Sequence, residues 1–508
     1  MVARQKKTRQ VAEFGDFQTP LALARATAAV LRNLGVKAQT IIEPTCGKGA
    51  FVVAALEAFP DATRIIGLDI NPSHVEFARS AVSDLNNHSA TVYLREGDFF
   101  KLNWSDILGP DEGPRLIIGN PPWVTSAELG SMVSQNLPEK SNFQNYTGIA
   151  AITGKSNFDI SEWMLLRYIE WLTGTTGTIA VLCKTAVARK ILGHVWRKGI
   201  SISGARIYRI NSLSHFGAAV EACFFVISLE RGGNCKECGV FEELSDETPK
   251  HVIGFRHGHI LRNVRTFAKR ENLLGAESHY VWRSGIKHDC SKVMELAPVA
   301  DGYQNGLGEV VTLEDNYLFP LLKSSDLGNG RFEYRNAMLV PQRFVGDNTQ
   351  NIAKTAPNTW AYLTRHGEIL SQRGSIIYKK QPPFAIFGVG DYSFAPWKIA
   401  ISGFYKSINF RRIGLIRNRS VVFDDTVNFL ACWSESEADF LFALLSSEAA
   451  QEFYQSMIHW DEKRPITVEI LRRLSIRNLA IDRGRENEYN NFVAQRQPPL
   501  LQFLSASG

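Results

Sequence analysis

The chain predicts an α/β fold in its first part: a mostly parallel sheet with helices on both faces, followed by a domain of different character. Three observations carry this prediction. Short apolar strands alternate with helical patterns over the first ~230 residues, the signature of crossover connections. Successive strands end in acidic, glycine-bearing or amide residues: Glu43 with Gly47 and Gly49, then Asp69, Asp98 and Asn120. After Lys250 the pattern changes to short aromatic strands broken by Gly and Pro turns.

The elements follow in order. Leu21 to Leu34 reads as a helix, and Thr40 to Ile42 as a buried strand ending in the loop Glu43 to Phe51. A helix is expected from Ala50 to Phe59, a strand from Arg64 to Leu68, and a further helix opened by a Ser73/Glu76 capping box. Thr91 to Leu94 and Arg115 to Gly119 are strands, and Asp159 with Glu162 opens a helix over Trp163 to Leu172. Strands Thr178 to Cys183 and Ala222 to Leu229 complete the sheet. Glycine and charge accumulate from Glu230 to Lys250, so the domains are expected at 1–235 and 251–508, with 236–250 a linker. Helices return near Glu435 to Met457 and Thr467 to Leu474.

A length of 508 residues calls for more than one core. No apolar run approaches the roughly 20 residues needed to span a bilayer. The start, Met1 to Gln10, is basic and lacks the apolar stretch of a secretory signal. Seven cysteines scattered over the chain suit a reducing compartment, and a cytoplasmic location is expected. Cys235 and Cys238 resemble half a zinc site but lack a second pair, so two loop thiols are expected and no metal.

Chemistry concentrates at the strand ends. Gly47 and Gly49 let the backbone approach a ligand at a helix N-terminus. The third glycine of a dinucleotide fingerprint is missing, because position 52 is Val, and no Lys-Ser or Lys-Thr follows as in a P-loop. Glu43 would repel a pyrophosphate and suits a cationic ligand instead. S-adenosylmethionine carries a sulfonium, an amino group, a ribose diol for Asp69 and an adenine amine for Asp98. The strand Arg115 to Gly119 runs into Asn120-Pro121-Pro122-Trp123, where the prolines stop the ladder. The amide oxygen of Asn120 and the carbonyl of Pro121 then form an acceptor pair beside an aromatic face. Such a pair fits the exocyclic amine of a flat ring.

With these residues in this order, the chain resembles the gamma-order, S-adenosylmethionine-dependent DNA methyltransferases of the N6-adenine, restriction–modification type. Phe17-Gln18-Thr19-Pro20 is similar to their N-terminal cofactor motif, and Glu43 to Phe51 to their glycine loop. Asn120 to Trp123 is similar to their catalytic Asn-Pro-Pro-aromatic motif, with Trp in the aromatic place. The resemblance implies a class I methyltransferase, Rossmann-like sheet plus a C-terminal α+β target-recognition domain. It implies cofactor contacts from Thr19, Glu43, Pro44, Cys46, Gly47, Gly49, Asp69, Ile70, Asp98, Phe99 and Asn120. It also implies catalysis by Asn120, Pro121, Pro122 and Trp123, with Trp123 and Phe216 stacking on a flipped base. N4-cytosine methylation uses similar acceptors and stays open, as do RNA and protein-glutamine amines. C5-cytosine chemistry would need a cysteine nucleophile, typically after proline, and the chain has no Pro-Cys dipeptide.

The second half points to double-stranded DNA as partner. Between Gln372 and Arg419 nine Lys or Arg face a single acid, Asp391, with aromatics interleaved. Nucleic-acid surfaces need such cations for phosphates. The DNA-binding candidates are Arg283, Lys287, Lys379, Lys380, Lys398, Lys406, Arg411 and Arg412. His288 and Asp289 read as a polar turn on that surface. No nuclease constellation is visible, so the resemblance allows a separate restriction endonuclease or defence-system subunit as a further partner.

Overall fold

The computed structural model describes residues 17–85, 88–110, 113–124 and 159–496. The basic start, Met1 to Gln10, lies outside the described residues. The chain forms two units, Met1–Asn263 and Val264–Gly508.

In the first unit α1 (Leu21–Asn33), β1 (Thr40–Glu43), α2 (Ala50–Ala58), β2 (Arg64–Asp69), α3 (Pro72–Ser83), β3 (Thr91–Glu96), α4 (Trp104–Leu108) and β4 (Arg115–Gly119) follow one another. After them come α5 (Ile160–Leu172), β5 (Gly177–Lys184), α6 (Thr185–Lys198), β6 (Ile202–Ile210), α7 (Ser212–Phe216) and β7 (Ala222–Leu229). The strands lie in the order β6-β7-β5-β4-β1-β2-β3. Strands β1 to β5 are mutually parallel, and β7 is antiparallel to both β5 and β6. This is the Rossmann-like methyltransferase sheet that the sequence predicts.

Period-two alternation explains why the strands read as continuous apolar runs. Ile42, Ile117, Ile179 and Val181 pack into one core with Met164, Leu165, Ile191 and Val195 of α5 and α6. Ile41, Leu116, Ile118, Ala180 and Leu182 pack into a second core on the other face, with Leu23, Leu31, Val52 and Ala55 of α1 and α2. Both faces are buried by helices, so no strand residue needs to be polar until the strand ends.

Three expectations are corrected in this unit. The cap of α3 is Asn71, whose side chain accepts from Ser73 N, with Pro72 at the first helical position; Ser73 sits two residues too late to cap. The segment 236–250 is not simply a linker: β8 (Glu237–Phe241) pairs with β6, and β9 (His251–Arg256) and β10 (His259–Leu261) extend the sheet. Glu237 is exposed, while Cys238 and Val240 pack into one core and Phe241 into the other, which hid a strand inside a charged composition. Cys238 is therefore a core residue, and the described residues contain no group of three or more His, Cys, Asp or Glu placed to hold a metal.

The second unit holds two sheets. A four-stranded one pairs β11 (Arg283–Ser284), β20 (Val427–Cys432), β17 (Trp397–Ser402) and β18 (Arg411–Ile413) in that order. A six-stranded one is built on β12 (Glu295–Val299), β15 (Leu318–Leu322) and their neighbours. Helices α8 (Glu435–Leu445) and α9 (Glu448–Met457) follow, separated at Ser447, which caps α9. Among the described residues no helix is long and apolar enough to cross a membrane.

Lys398 is not on a DNA-facing surface. It lies on β17 at 1% exposure, and its Nζ donates to the carbonyl of Ala395 at 2.6 Å. Alternation along β17 directs it inward, toward the face of Phe429. Burial lowers its pKa to about 7 from an ordinary 10.5. Between those values the unfolded chain binds the extra proton, so stability rises with pH across that window. Lys398→Met is expected to flatten this rise and to raise the melting temperature near pH 7, measured by thermal unfolding at pH 7 and pH 9.

Candidate active site

The parallel register brings the ends of β1, β2, β3 and β4 to one edge of the sheet, where ligands of open α/β sheets bind. There a cavity of about 430 Å³ is lined by Glu43, Gly47, Asp69, Asp98, Phe99 and Asn120, among others. Every residue expected to contact the cofactor lines it except Gly49, which lies at the start of α2.

The glycine loop is shaped by close approach. Gly47 and Gly49 have φ of 49° and 83°. A Cβ on Gly47 would lie 2.7 Å from Gln18 Oε1, and one on Gly49 would lie 2.9 Å from Ala78 Cβ. Gly49→Ala is expected to destabilise the chain by about 1–2 kcal/mol from the left-handed backbone alone, read by chemical denaturation. Gln18 Oε1 accepts from Lys48 N, tying the Phe17–Pro20 segment to this loop.

The carboxylates differ in state. Asp69 accepts from the backbone N–H of Gly47 at 2.9 Å and of Asn71 at 2.8 Å, with His74 Nδ1 at 3.4 Å. Two N–H donors leave part of its acceptor capacity open toward the cavity. Asp98 accepts from Phe100 N and pairs with the Lys101 ammonium at 3.0 Å. Glu43 is different: it is 2% exposed and its Oε2 has no hydrogen-bond partner. Burial holds its pKa well above the ordinary value; a backbone hydrogen bond opposes the shift and the nearby Asp69 charge adds to it.

Asn120 is held by its donor end. Its Nδ2 donates to the carbonyl of Phe17 at 3.1 Å and to Thr19 Oγ1 at 3.2 Å. A carbonyl can only accept, so the amide orientation is determined by the Phe17 bond. The Oδ1 is then buried without a partner at the wall of the cavity. Pro122 follows on the same wall.

The aromatic residues are packed more tightly than expected. Trp123 is 5% exposed and its Nε1 donates to the Leu182 carbonyl. Its ring meets Phe216 edge-on, with centroids 5.1 Å apart and planes at 73°, and Phe17 at 5.8 Å. Trp123 and Phe216 therefore touch each other and leave no slot between parallel faces in this structure. Phe99 is likewise a core residue, with its ring against Trp104, Trp163 and Tyr168. Phe100, Ile70 and Met164 supply the apolar lining. His74 and Met164 were not anticipated: one lies on α3, the other on α5, and neither has a neighbouring motif to mark it.

In the second unit, Arg283 lies over Tyr392 at 4.7 Å and is exposed, as are Lys379, Lys380 and Lys406. Lys287 pairs with Asp289 at 2.8 Å. Arg412 is held by Glu435 and Asp439, and Arg411 is half-buried. His288 is not a surface residue. It is 7% exposed; its Nδ1 accepts from Cys290 N, so its Nε2 is the donor toward Glu295, 3.2 Å away.

The cavity fits S-adenosylmethionine: a buried carboxyl with one unpartnered oxygen for a cation, Asp69 and Asp98 for hydroxyls and an amine, and apolar walls for a base. Its size lies within the usual range for ligand sites, roughly 300–1,000 Å³. No family model matches the chain. The type II methyltransferase M.NspV of Nostoc sp. (strain ATCC 29411 / PCC 7524) is 44% identical over 482 residues, covering 94% of this chain and 99% of that protein. The type II methyltransferase M.XamI of Xanthomonas campestris pv. amaranthicola is 32% identical over 117 residues, 23% of this chain and 21% of that one. Among solved structures, the type IIL restriction-modification enzyme MmeI in complex with DNA superposes with a TM-score of 0.50 at 12% identity. That match covers 92% of this chain and 64% of the MmeI chain, and at such identity it speaks for the fold alone.

Proposed function

Because the chain belongs to the type II methyltransferases, we propose that it transfers a methyl group to N6 of a flipped adenine in duplex DNA, as the modification enzyme of a restriction–modification system. S-adenosylmethionine is the methyl donor, and it supplies an electrophilic methyl on a sulfonium.

The single observation that carries the proposal is the state of Asn120. Its donors are occupied, and its acceptor is buried without a partner on a residue that lines the cavity. An amine hydrogen satisfies that acceptor, and the Pro121 carbonyl takes the second one. Both bonds would draw the nitrogen toward a tetrahedral shape and free its lone pair for attack on the electrophilic methyl. Glu43 holds the cationic end of the donor, Asp69 the ribose hydroxyls and Asp98 the adenine amine. Thr19, Pro44, Cys46, Gly47 and Ile70 shape the walls, and Gly49 keeps the loop close to α3. Trp123 offers a stacking face for the target base once Phe216 has moved away from it.

The second unit is assigned to target recognition. Arg283, Lys379, Lys380 and Lys406 are exposed and suited to phosphates, whereas Lys398 is excluded from this role by its burial. The test is to incubate unmethylated duplex DNA with labelled S-adenosylmethionine and to identify the modified nucleoside by mass spectrometry. N6-methyladenine is the expected product. N4-methylcytosine would move the target to cytosine, and label found only in RNA or protein would reject DNA as substrate.

A further inference from the structure

The loop Gln342 to Asn348 carries an exposed apolar tip on a rigid base. Phe344 is 59% exposed and Val345 43%. The loop beneath them is stapled. Arg343 N donates to Asp347 Oδ2 at 3.0 Å, and Asp347 N to the Phe344 carbonyl at 3.1 Å, with Gly346 at φ 88° closing the turn. Gln342, 2% exposed, anchors both sides: its Nε2 donates to the Asp347 carbonyl and its Oε1 accepts from Ile386 N. Thr349 Oγ1 donates to the Pro383 carbonyl at 2.7 Å.

Those anchors tie the loop to Pro383 and Ile386, in the segment that follows the cations Lys379 and Lys380. Pro383 is three residues after Lys380, at most about 11 Å of chain. Lys379 and Lys380 are exposed, and Lys380 and Phe384 hold φ of 67° and 64°, a backbone shape that ordinary side chains keep only where surroundings impose it. The Arg343 guanidinium is stacked 4.3 Å from the Phe394 ring centroid.

Size and charge decide the occupant. Two side chains cover far less than the roughly 800 Å² that each partner of a stable protein interface contributes. One rigid apolar side chain among cations is what a kinked duplex accommodates: the wedge enters a base step while the cations meet phosphates. Resting on the duplex-DNA reading above, the geometry points to Phe344 as a wedge that enters the base stack, with Arg343, Lys379 and Lys380 contacting the neighbouring phosphates.

The test uses the full-length protein and a closed circular plasmid relaxed by topoisomerase in its presence, so that unstacking is read as a change in linking number. Wild-type protein is expected to unwind the plasmid. Phe344→Ala is expected to lose more than half of that unwinding at equal occupancy and to raise the KM for plasmid DNA about tenfold. Phe344→Leu restores both, because an apolar wedge remains. Cofactor affinity and melting temperature are unchanged in either variant, which separates the wedge from a packing role. Methylation and unwinding by Phe344→Ala within twofold of wild type would overturn the wedge alone. A wild type that neither methylates nor binds the plasmid removes the DNA reading and the wedge together. A fall in oligomeric state of Phe344→Ala, seen by sedimentation, would instead make the tip a self-association contact and overturn the proposal.

Discussion

Asn120→Ala is expected to lower the methyl-transfer rate about 10³-fold while leaving S-adenosylmethionine affinity within a few-fold, the size seen when one preorganised hydrogen-bonding group of an active site is removed. The argument rests on which atoms of Asn120 are already used. Nδ2 is bound to Phe17 and Thr19, so only Oδ1 is available to the amine. Removing the side chain also frees the Phe17 carbonyl, a cost to local order that a second variant isolates. Asn120→Asp keeps the shape but sets an oxygen against the Phe17 carbonyl, where Nδ2 stood at 3.1 Å. It is expected to fail as well, with a lower melting temperature. Single-turnover kinetics and equilibrium dialysis separate transfer from binding, and a fully active Asn120→Ala would sink the mechanism.

Glu43→Gln is expected to do two opposite things. Burial raises the Glu43 carboxyl above its ordinary value in the free folded chain. Between the ordinary and the raised value the folded state therefore binds the extra proton. The stability this group contributes is present at acid pH and declines as pH rises through that window. A neutral glutamine has no such slope, so the variant's melting temperature is expected to exceed that of wild type at pH 8 and to converge with it toward pH 4. Each kcal/mol gained corresponds to about 2–4 °C. Cofactor affinity is expected to fall about 10²-fold, the ~3 kcal/mol typical of removing one partner of a buried charge pair. Stabilisation with loss of binding is the behaviour of a residue kept for a ligand. Equal affinity in the variant would detach Glu43 from the cofactor.

Much of the site was legible because open α/β sheets place their chemistry at strand ends, and strand ends are where an apolar run meets a polar residue. Glu43, Asp69, Asp98 and Asn120 each stand at such a junction, and the structure gathers them around one cavity. His74 and Met164 were not legible, since they reach the cavity from helices and their approach depends on how α3 and α5 cross the sheet. Strand β8 was hidden because it is short and its three buried residues, Cys238, Val240 and Phe241, stand among charges in the sequence. Lys398 and His288 were misread for a related reason. Composition counts a cation wherever it stands, while a strand's register decides whether it faces water or the core.

The sequence by itself determined the fold of the first unit and the order of its strand-end residues, because local periodicity and turn chemistry are written in neighbouring positions. Only the tertiary structure decided which atoms are available there. Asn120 lost its donors to a segment about 100 residues earlier, one oxygen of Glu43 was left without a partner, and Trp123 was closed against Phe216. Hydrogen-bond satisfaction and burial are properties of groups brought together from distant positions, and no local pattern specifies them.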